Sequence, residues 1–326
     1  MESNELSPYY GKSSREAYGM ALYELAVLDN SIVALTSDVP DSVRFSKFRE
    51  TWPERFFDFG IAEQNMMSAA AGMARSGKMP YVSVYAIFAA LRALEQARTD
   101  VAYPNLPVRI VVTHSGISLG PGGPTHHSIE DISMYRSIAN MTIAIPADGV
   151  ATAEIIHASY KLPGPIYIRL SRETEPSVYS AMGEFSFGKS RLLRHGADLT
   201  IIACGASVGR SLQAADNLAK QGIQAQIIDM ATIKPIDTEA ILASSQQNGA
   251  ILTVEEHSII GGLGSAVAEV LAEAGSGARL KRLGIPDAFT LAGMYKDLIS
   301  YYGLDDHGIT RAAIDLLSDH SPKTPL

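Results

Sequence analysis

Short apolar runs rich in β-branched residues alternate along the chain with segments of helical periodicity. Runs that are apolar at nearly every position are typical of parallel strands covered by helices on both faces. The first part of the chain therefore predicts a layered unit of alternating strands and helices. Its predicted strands are 31–36, 56–59, 81–84, 108–113, 142–145 and 166–170. Its predicted helices are one that begins after Ser13 and Ser14 and runs to residue 28, and those over 62–75, 87–101, 129–138 and 149–160.

A second block with the same alternation follows a stretch rich in Ser, Gly and charged residues, which is typical of a linker and has room for one hairpin. The predicted strands of this block are 198–204, 224–229, 250–255 and 279–284. Its predicted helices are 207–220, 238–245, 265–273 and a closing helix pair. We therefore expect two doubly wound α/β domains, the first over 6–178 and a smaller one over 197–326, joined by a linker over 179–196.

The composition narrows the range of functions. A chain of 326 residues with 46% hydrophobic residues can bury a large core, and its net charge of −8 argues against binding to nucleic acid or to an anionic membrane. The longest apolar runs are far shorter than the ~20 residues that a membrane span needs. The single cysteine and the first residues, which lack a signal-peptide pattern, favour a cytoplasmic location.

Two predicted strand ends carry candidate chemistry. Glu63 lies in the first turn of a predicted helix, where an acid is favoured by the helix dipole and often has no other role. Tyr85 and Phe88 follow the strand predicted over 81–84, and ligands of open parallel sheets bind at that end of the strands. Both rings could equally pack between the sheet and a helix, so neither feature decides the function alone.

The clearest chemical signal is a long Gly- and Pro-rich loop that carries His114, His126 and His127. Loops of this length in compact domains are usually functional, and histidine titrates in the range useful for proton transfer. A metal site is a weaker interpretation because neither a helical HxxxH pattern nor added cysteines complete a ligand set. Arg15 and Arg172, at a predicted helix start and a predicted strand end, have the planar donors that suit a phosphate group.

Taken together and in this order, these motifs resemble the transketolase and 1-deoxyxylulose-5-phosphate synthase family over nearly the whole chain. The segment TVEEHSIIGGLGS at 253–265 is similar to the C-terminal domain of that family. The resemblance implies a pyrimidine-binding domain for thiamine diphosphate, followed by a smaller transketolase C-terminal domain. It also implies that Glu63 contacts the cofactor's aminopyrimidine and promotes removal of the thiazolium proton, while Phe88, with Tyr85 nearby, stacks on that ring.

The same resemblance implies roles for the residues of the loops. His126 matches a histidine that contacts the sugar and moves protons, and His114 matches a second histidine of transketolases. Synthases of the family usually carry Asp at the position of His114, so ketol transfer is favoured. Arg15, Ser42 and Arg172 match positions that hold the sugar phosphate in transketolases.

Two departures from the family pattern affect the expected activity. Gly122 stands where transketolases generally carry Asp, which implies an altered preference for donor or acceptor. No diphosphate-binding motif precedes Glu63, so a separate N-terminal subunit is expected to bind the diphosphate and magnesium, while this chain provides no metal ligand. Because the family's domains share each cofactor between chains, the resemblance implies a heterotetramer.

The expected function is that of the C-terminal subunit of a thiamine-diphosphate-dependent transketolase, which transfers a two-carbon ketol unit from a ketose phosphate to an aldose acceptor. One alternative is the β subunit of a 2-oxo acid dehydrogenase's decarboxylating component, which has the same length and domain order. Another is a fragment resembling deoxyxylulose phosphate synthase. A non-catalytic scaffold with the same fold is a third. The histidines and arginines favour the transketolase.

Overall fold

The computed structural model describes residues 6–318, and its strands and helices alternate as the apolar pattern predicts. The strands are β1 (Ile32–Thr36), β2 (Phe56–Asp58), β3 (Met79–Ser83), β4 (Arg109–Val112), β5 (Thr142–Ala144), β6 (Ile166–Arg169), β7 (Arg191–Arg194), β8 (Leu199–Ala203), β9 (Ala225–Asp229), β10 (Thr232–Lys234), β11 (Ala250–Ser258) and β12 (Arg279–Ile285). The helices are α1 (Ser14–Leu28), α2 (Ser46–Thr51), α3 (Glu63–Arg75), α4 (Ala86–Leu91), α5 (Leu94–Gln96), α6 (Asp131–Arg136), α7 (Gly149–Tyr160), α8 (Ser207–Ala219), α9 (Thr238–Asn248), α10 (Leu263–Glu273), α11 (Tyr295–Tyr301) and α12 (Asp306–Ser318). The predicted second domain runs to residue 326, and positions 319–326 lie outside the described residues.

Two sheets organise the chain, and both are mostly parallel. The first has the order β10-β5-β6-β4-β3-β1-β2, and the second has the order β12-β11-β8-β9-β7. Each sheet has one antiparallel edge strand: β10 pairs with β5, and β7 pairs with β9. The prediction of two α/β domains is confirmed.

Three local predictions differ from the structure. Strand β10 was not predicted, because three residues before Pro235 are too few to show a hydrophobic pattern. This strand pairs with β5 and so joins the second part of the chain to the first sheet. Strand β7 lies in the predicted linker and pairs with β9, so it forms no hairpin within the linker. The single helix predicted over 87–101 was wrong: it is divided into α4, α5 and a π-helical segment over Ala97–Ala102.

The chain forms one wide helical turn where α4 ends and before α5 begins. The backbone N–H of Ala93 donates to the carbonyl of Phe88, five residues earlier, at 3.3 Å. Wide turns of this type are rare and occur often at functional sites. Apolar periodicity continues through the break, which explains why the pattern predicted one continuous helix.

The order of the strands positions the candidate site. Helices α1 and α7 cover one face of the first sheet, and α3, α4 and α6 lie with the core of the other face. Parallel strands end at the same edge of a sheet, so the loops after β6, β4, β3, β1 and β2 are neighbours. These segments carry the predicted site residues except Arg15, which lies in the first turn of α1. Within residues 6–318, no helix is long and apolar enough to cross a membrane.

Candidate active site

Three predicted residues meet where β1, β3 and β4 end. His114 lies two residues after the end of β4 and has φ of +58°, a left-handed conformation that is uncommon outside glycine. Its ring lies against the ring of Tyr85, with 4.0 Å between the centroids. The hydroxyl of Tyr85 donates to Ser42 Oγ at 3.2 Å. These contacts form one end of a cleft, which we call the anion end.

Arg15 joins the loops of the anion end. Its Nε and Nη2 donate to the carbonyl of Arg172 at 3.0 and 2.8 Å, and its Nη1 donates to the carbonyl of Ser42 at 2.9 Å. The side chain of Arg172 is half-exposed and pairs with Glu173 at 2.7 Å. Arg15 therefore frames the pocket with its hydrogen bonds, whereas Arg172 presents its charge towards solvent.

Burial and positive charge keep His114 neutral. Burial of the ring, followed by the charges of Arg15, Arg172 and Arg44, lowers the pKa of His114 from 6.5 to about 3. Its Nδ1 lies 2.8 Å from Thr113 Oγ1, which fixes the orientation of the ring. At neutral pH this histidine can donate or accept a hydrogen bond, but it does not carry a positive charge.

The sequence prediction missed Arg44. This residue is exposed and has φ of +66°, and its side chain has no hydrogen-bond or ion-pair partner among residues 6–318. The close approach of Gly19 supports the strained backbone, because a β-carbon at Gly19 would lie 2.8 Å from the Arg44 carbonyl oxygen. The one sequence feature that could have indicated Arg44 is its place as a charged residue between two apolar residues, Val43 and Phe45, whose side chains are buried. Strain at an unpaired cation beside His114 marks Arg44 as a candidate anion-binding residue.

Glu63 and Phe88 form the other end of the cleft, which we call the cofactor end. Glu63 begins α3 and is only 4% exposed. Its Oε1 accepts a hydrogen bond from Arg92 Nη1 at 2.9 Å, and Oε2 has no partner within residues 6–318. The guanidinium carbon of Arg92 also lies 4.1 Å from the centroid of the Phe88 ring. A planar nitrogen group thus stacks on Phe88 and donates to Glu63, which is the pair of contacts that a nitrogen heterocycle would make there.

His126 lies beside the cofactor end. Its ring meets the Phe88 ring edge-on, with 5.5 Å between centroids, and its Nδ1 lies 2.9 Å from Thr125 Oγ1. The rings of Tyr85 and Phe88 are nearly parallel at 6.0 Å and link the two ends of the cleft. Arg92 links Glu63 to Phe88, and His126 contacts Phe88, so these three predicted residues lie together.

The third histidine of the loop has a structural position. His127 is 2% exposed, its Nδ1 lies 2.7 Å from Thr290 Oγ1, and its Nε2 lies 3.0 Å from the Gly120 carbonyl.

Gly122 occupies a tight place, since a β-carbon there would lie 2.8 Å from Leu119 Cδ2. An Asp side chain at that position would therefore require the side chain of Leu119 to move. Among residues 6–318, no group of three or more His, Cys, Asp or Glu side chains could hold a metal ion.

Comparison with known proteins identifies the family of both domains. Residues 11–176 match the family model "Transketolase, pyrimidine binding domain", and residues 188–309 match "Transketolase, C-terminal domain". The chain is 40% identical over 304 residues to an apulose-4-phosphate transketolase subunit of Phocaeicola vulgatus, covering 93% of this chain and 97% of that protein. It is also 40% identical to the 6-deoxy-6-sulfo-D-fructose transketolase subunit SqwH of Clostridium sp., covering 92% of each. A solved structure of a split gene transketolase, an inactive β4 tetramer, is 42% identical with a TM-score of 0.86, covering 94% of this chain and 99% of that one.

Proposed function

Because this chain belongs to the transketolase family, we propose that it provides the pyrimidine-binding half of a thiamine-diphosphate active site. The chain is a subunit of the split transketolase type, a transferase that works as part of a hetero-oligomer. The reaction that we propose is the transfer of a two-carbon ketol unit from a ketose phosphate to an aldose or aldose phosphate acceptor. The observation that carries this proposal is one cleft with the buried acid Glu63 beside Phe88 at one end and an arginine-framed His114 at the other.

The cofactor end fits the aminopyrimidine of thiamine diphosphate. Arg92 already makes the two contacts that this ring needs, stacking on Phe88 and donating to Glu63. When bound, thiamine diphosphate supplies a nucleophilic carbon that can attack the carbonyl of a ketose. In this role Glu63 would hold a ring nitrogen, Phe88 would provide a flat apolar surface, and Arg92 would move aside.

The anion end suits the phosphate of the sugar. Arg172 and Arg44 provide positive charge near solvent, and Ser42 provides a hydroxyl next to the backbone that Arg15 holds. His114 is neutral and would bind a sugar hydroxyl, while His126, beside Phe88, would accept or donate a proton near the reacting carbonyl. Relatives named for a sugar 4-phosphate and a 6-sulfo sugar support an anionic substrate.

The diphosphate and the magnesium ion belong, in this proposal, to a separate subunit. The described residues hold no cluster of side chains suited to a metal ion. Two copies of each chain would form a heterotetramer with two cofactor sites, each shared between the two kinds of subunit. Gly122 provides no carboxylate that could contact a substrate hydroxyl, which supports a donor other than the usual ketose.

Reconstitution tests the proposal. The purified chain and the subunit that carries the diphosphate-binding domain are assayed separately and together with thiamine diphosphate, magnesium and a panel of ketose phosphates. We expect ketol transfer only when both chains are present. Turnover of sugars by this chain alone would contradict the proposal. Formation of 1-deoxyxylulose 5-phosphate from pyruvate, or decarboxylation of a 2-oxo acid onto a lipoyl acceptor, would instead support the corresponding alternative.

A further inference from the structure

Residues 114–128, which we call the histidine loop, carry both His114 and His126. A pair of hydrogen bonds closes the loop: Gly116 N–H donates to the Ser128 carbonyl at 2.9 Å, and Ser128 N–H donates back at 2.8 Å. A closed loop of this type keeps its shape but still needs contacts that fix it against the rest of the molecule. Those contacts come from the second domain.

Glu256, at the end of β11 in the second domain, holds the first part of the histidine loop. Its buried Oε1 accepts a hydrogen bond from the backbone N–H of Ile117 at 3.0 Å. Its Oε2 accepts from the hydroxyl of Tyr295 at 2.6 Å and lies 3.5 Å from Arg210 Nη1. A β-carbon at Gly116, whose φ is +61°, would overlap the carboxylate of Glu256, so only glycine permits this approach.

The backbone of Glu256 also fixes the end of the loop. Arg169 Nη2 donates both to the Glu256 carbonyl at 3.1 Å and to the Ser128 carbonyl at 2.9 Å. The Nε of this buried arginine is held by Asp131 at 2.8 Å. One guanidinium group therefore connects the strand of the second domain to the residue that closes the histidine loop.

A second contact lies farther along the loop. The segment 290–295 runs beneath it, where Thr290 Oγ1 lies 2.7 Å from Nδ1 of the buried His127. The backbones approach closely at the same place, because a β-carbon at Gly120 would lie 2.9 Å from the Gly293 carbonyl oxygen. Tyr295 ends this segment and binds Glu256, so the two contacts belong to one continuous support.

We infer that the second domain positions the histidine loop for catalysis, with Glu256 and Thr290 as its positioning residues. A catalytic group must be held to within a fraction of an ångström, and buried hydrogen bonds to a charged group provide such restraint. Glu63 and Phe88 lie on α3 and α4 and make no hydrogen bond to this support within residues 6–318. Loss of the support should therefore displace the histidines and leave cofactor binding unchanged. The catalytic part of this inference rests on the proposed function.

Thr290 offers the sharper pair of variants. Thr290→Val keeps the shape of the side chain and removes the hydroxyl that contacts His127, whereas Thr290→Ser keeps that hydroxyl. Glu256→Gln is the second test, since it keeps the size of the side chain and removes the charge. Glu239→Gln is the control, because Glu239 is exposed and pairs only with Lys189.

Amide hydrogen exchange on the purified chain tests the structural part. We expect exchange within the histidine loop to increase on the order of tenfold in Thr290→Val and Glu256→Gln. Thr290→Ser and Glu239→Gln should match the wild type. Unchanged exchange of the loop in both Thr290→Val and Glu256→Gln would overturn the inference, as would an equal increase across all of residues 6–318, which would indicate general destabilisation.

Kinetics of the reconstituted pair test the catalytic part. We expect kcat/KM for the sugar to fall on the order of tenfold in Thr290→Val, to return in Thr290→Ser, and the half-saturating concentration of thiamine diphosphate to stay constant. A parallel loss of cofactor affinity, or no loss of kcat/KM despite faster exchange, would overturn the positioning role. If the wild-type pair transfers no ketol unit, the proposed function fails, and the exchange measurement still decides whether the second domain fixes the loop.

Discussion

The two ends of the cleft differ in how completely this chain builds them. At the anion end, Arg15 uses three donor nitrogens on backbone carbonyls, and His114 is buried against Tyr85. At the cofactor end, Glu63 has one partner, and that partner is the half-exposed side chain of Arg92. The anion end is thus organised within one chain, whereas the cofactor end has its contacts filled by a side chain that can leave.

The difference follows from the elements that carry each end. The anion end is built on loops after neighbouring strands of one sheet, so the sheet holds those loops together. The cofactor end lies at the start of α3 and beside the break between α4 and α5, and not on the loops of the anion end. The single contact that Glu63 makes within residues 6–318 agrees with the proposed site completed by two chains.

The largest expected effect concerns Glu63. Replacing it in Glu63→Ala removes the buried carboxylate that would hold the pyrimidine nitrogen, so ketol transfer by the reconstituted pair should fall on the order of 10²-fold or more. Steady-state rates at saturating cofactor measure this loss. Glu54→Ala, which changes an exposed acid in a first helical turn, is the matched control and should keep the wild-type rate. Activity of Glu63→Ala close to that of the wild type would show that this acid does not activate the cofactor.

The anion end should respond differently to its two arginines. Arg15→Met removes three hydrogen bonds from a charged group, so the free energy of unfolding should fall by about 1.5–3 kcal/mol, and kcat/KM for a phosphorylated sugar should fall at least tenfold. Arg44→Met breaks no hydrogen bond, so we expect unchanged unfolding and a KM for that sugar roughly fivefold higher. Denaturant melts and sugar kinetics distinguish the two effects. Equal loss of stability in both variants would contradict the framing role of Arg15.

A variant of Arg92 tests whether this side chain competes with the cofactor for Glu63 and Phe88. A half-exposed ion pair contributes about 0–1 kcal/mol, and the cation–π contact contributes about 0.5–1 kcal/mol. Arg92→Ala should therefore lower the half-saturating concentration of thiamine diphosphate roughly two- to thirtyfold in the reconstituted pair. Arg98→Ala is the control, because Arg98 is also exposed and lines the same surface cavity as Arg92, and it should leave the half-saturating concentration unchanged. A higher concentration requirement in Arg92→Ala would mean that Arg92 holds the cofactor instead.

The smallest expected effect on activity concerns the pH profile. Because the pKa of His114 is lowered to about 3, the ring stays neutral between pH 5 and 9, and His114→Asn should lower kcat/KM without moving the inflections of the profile. The depressed pKa also stabilises the fold above about pH 6.5, and this contribution is lost as the pH falls towards about 3. Denaturant melts at pH 7 and pH 4 should show that the free energy of unfolding falls more between these pH values for the wild type than for His114→Asn. A profile whose inflection near neutral pH disappears in His114→Asn would show that this histidine titrates during catalysis.

Much of the site could be predicted because its residues stand at strand ends. Apolar runs locate β1, β3, β4 and β6, and parallel strands bring their following loops to one edge, which explains why Ser42, Tyr85, His114 and Arg172 lie at the same edge. The cleft lined by Glu63, Phe88 and His126 was expected from motifs that resemble a known family. The roles of these residues stay predictions until the variants are measured.

Periodicity could not predict features that depend on contacts between distant parts of the chain. The break between α4 and α5 keeps the apolar spacing of a helix, and β10 is too short to stand out. Arg44 and Arg92 have no sequence pattern around them that marks them as functional. Arg44 stands out by its positive φ, and Arg92 stands out by its contacts with Glu63 and Phe88.

The sequence by itself determined the order of strands and helices, two α/β domains and the chemical groups at the strand ends, because apolar spacing and residue type are local properties. Only the tertiary structure decided that Arg92 occupies the cofactor end, that His127 packs against Thr290, and that Glu256 supports the histidine loop. Each of these depends on which residues meet after folding. A carboxylate in β11 becomes a support for a loop that lies 139 positions earlier in the chain because the packing of the two domains brings them together.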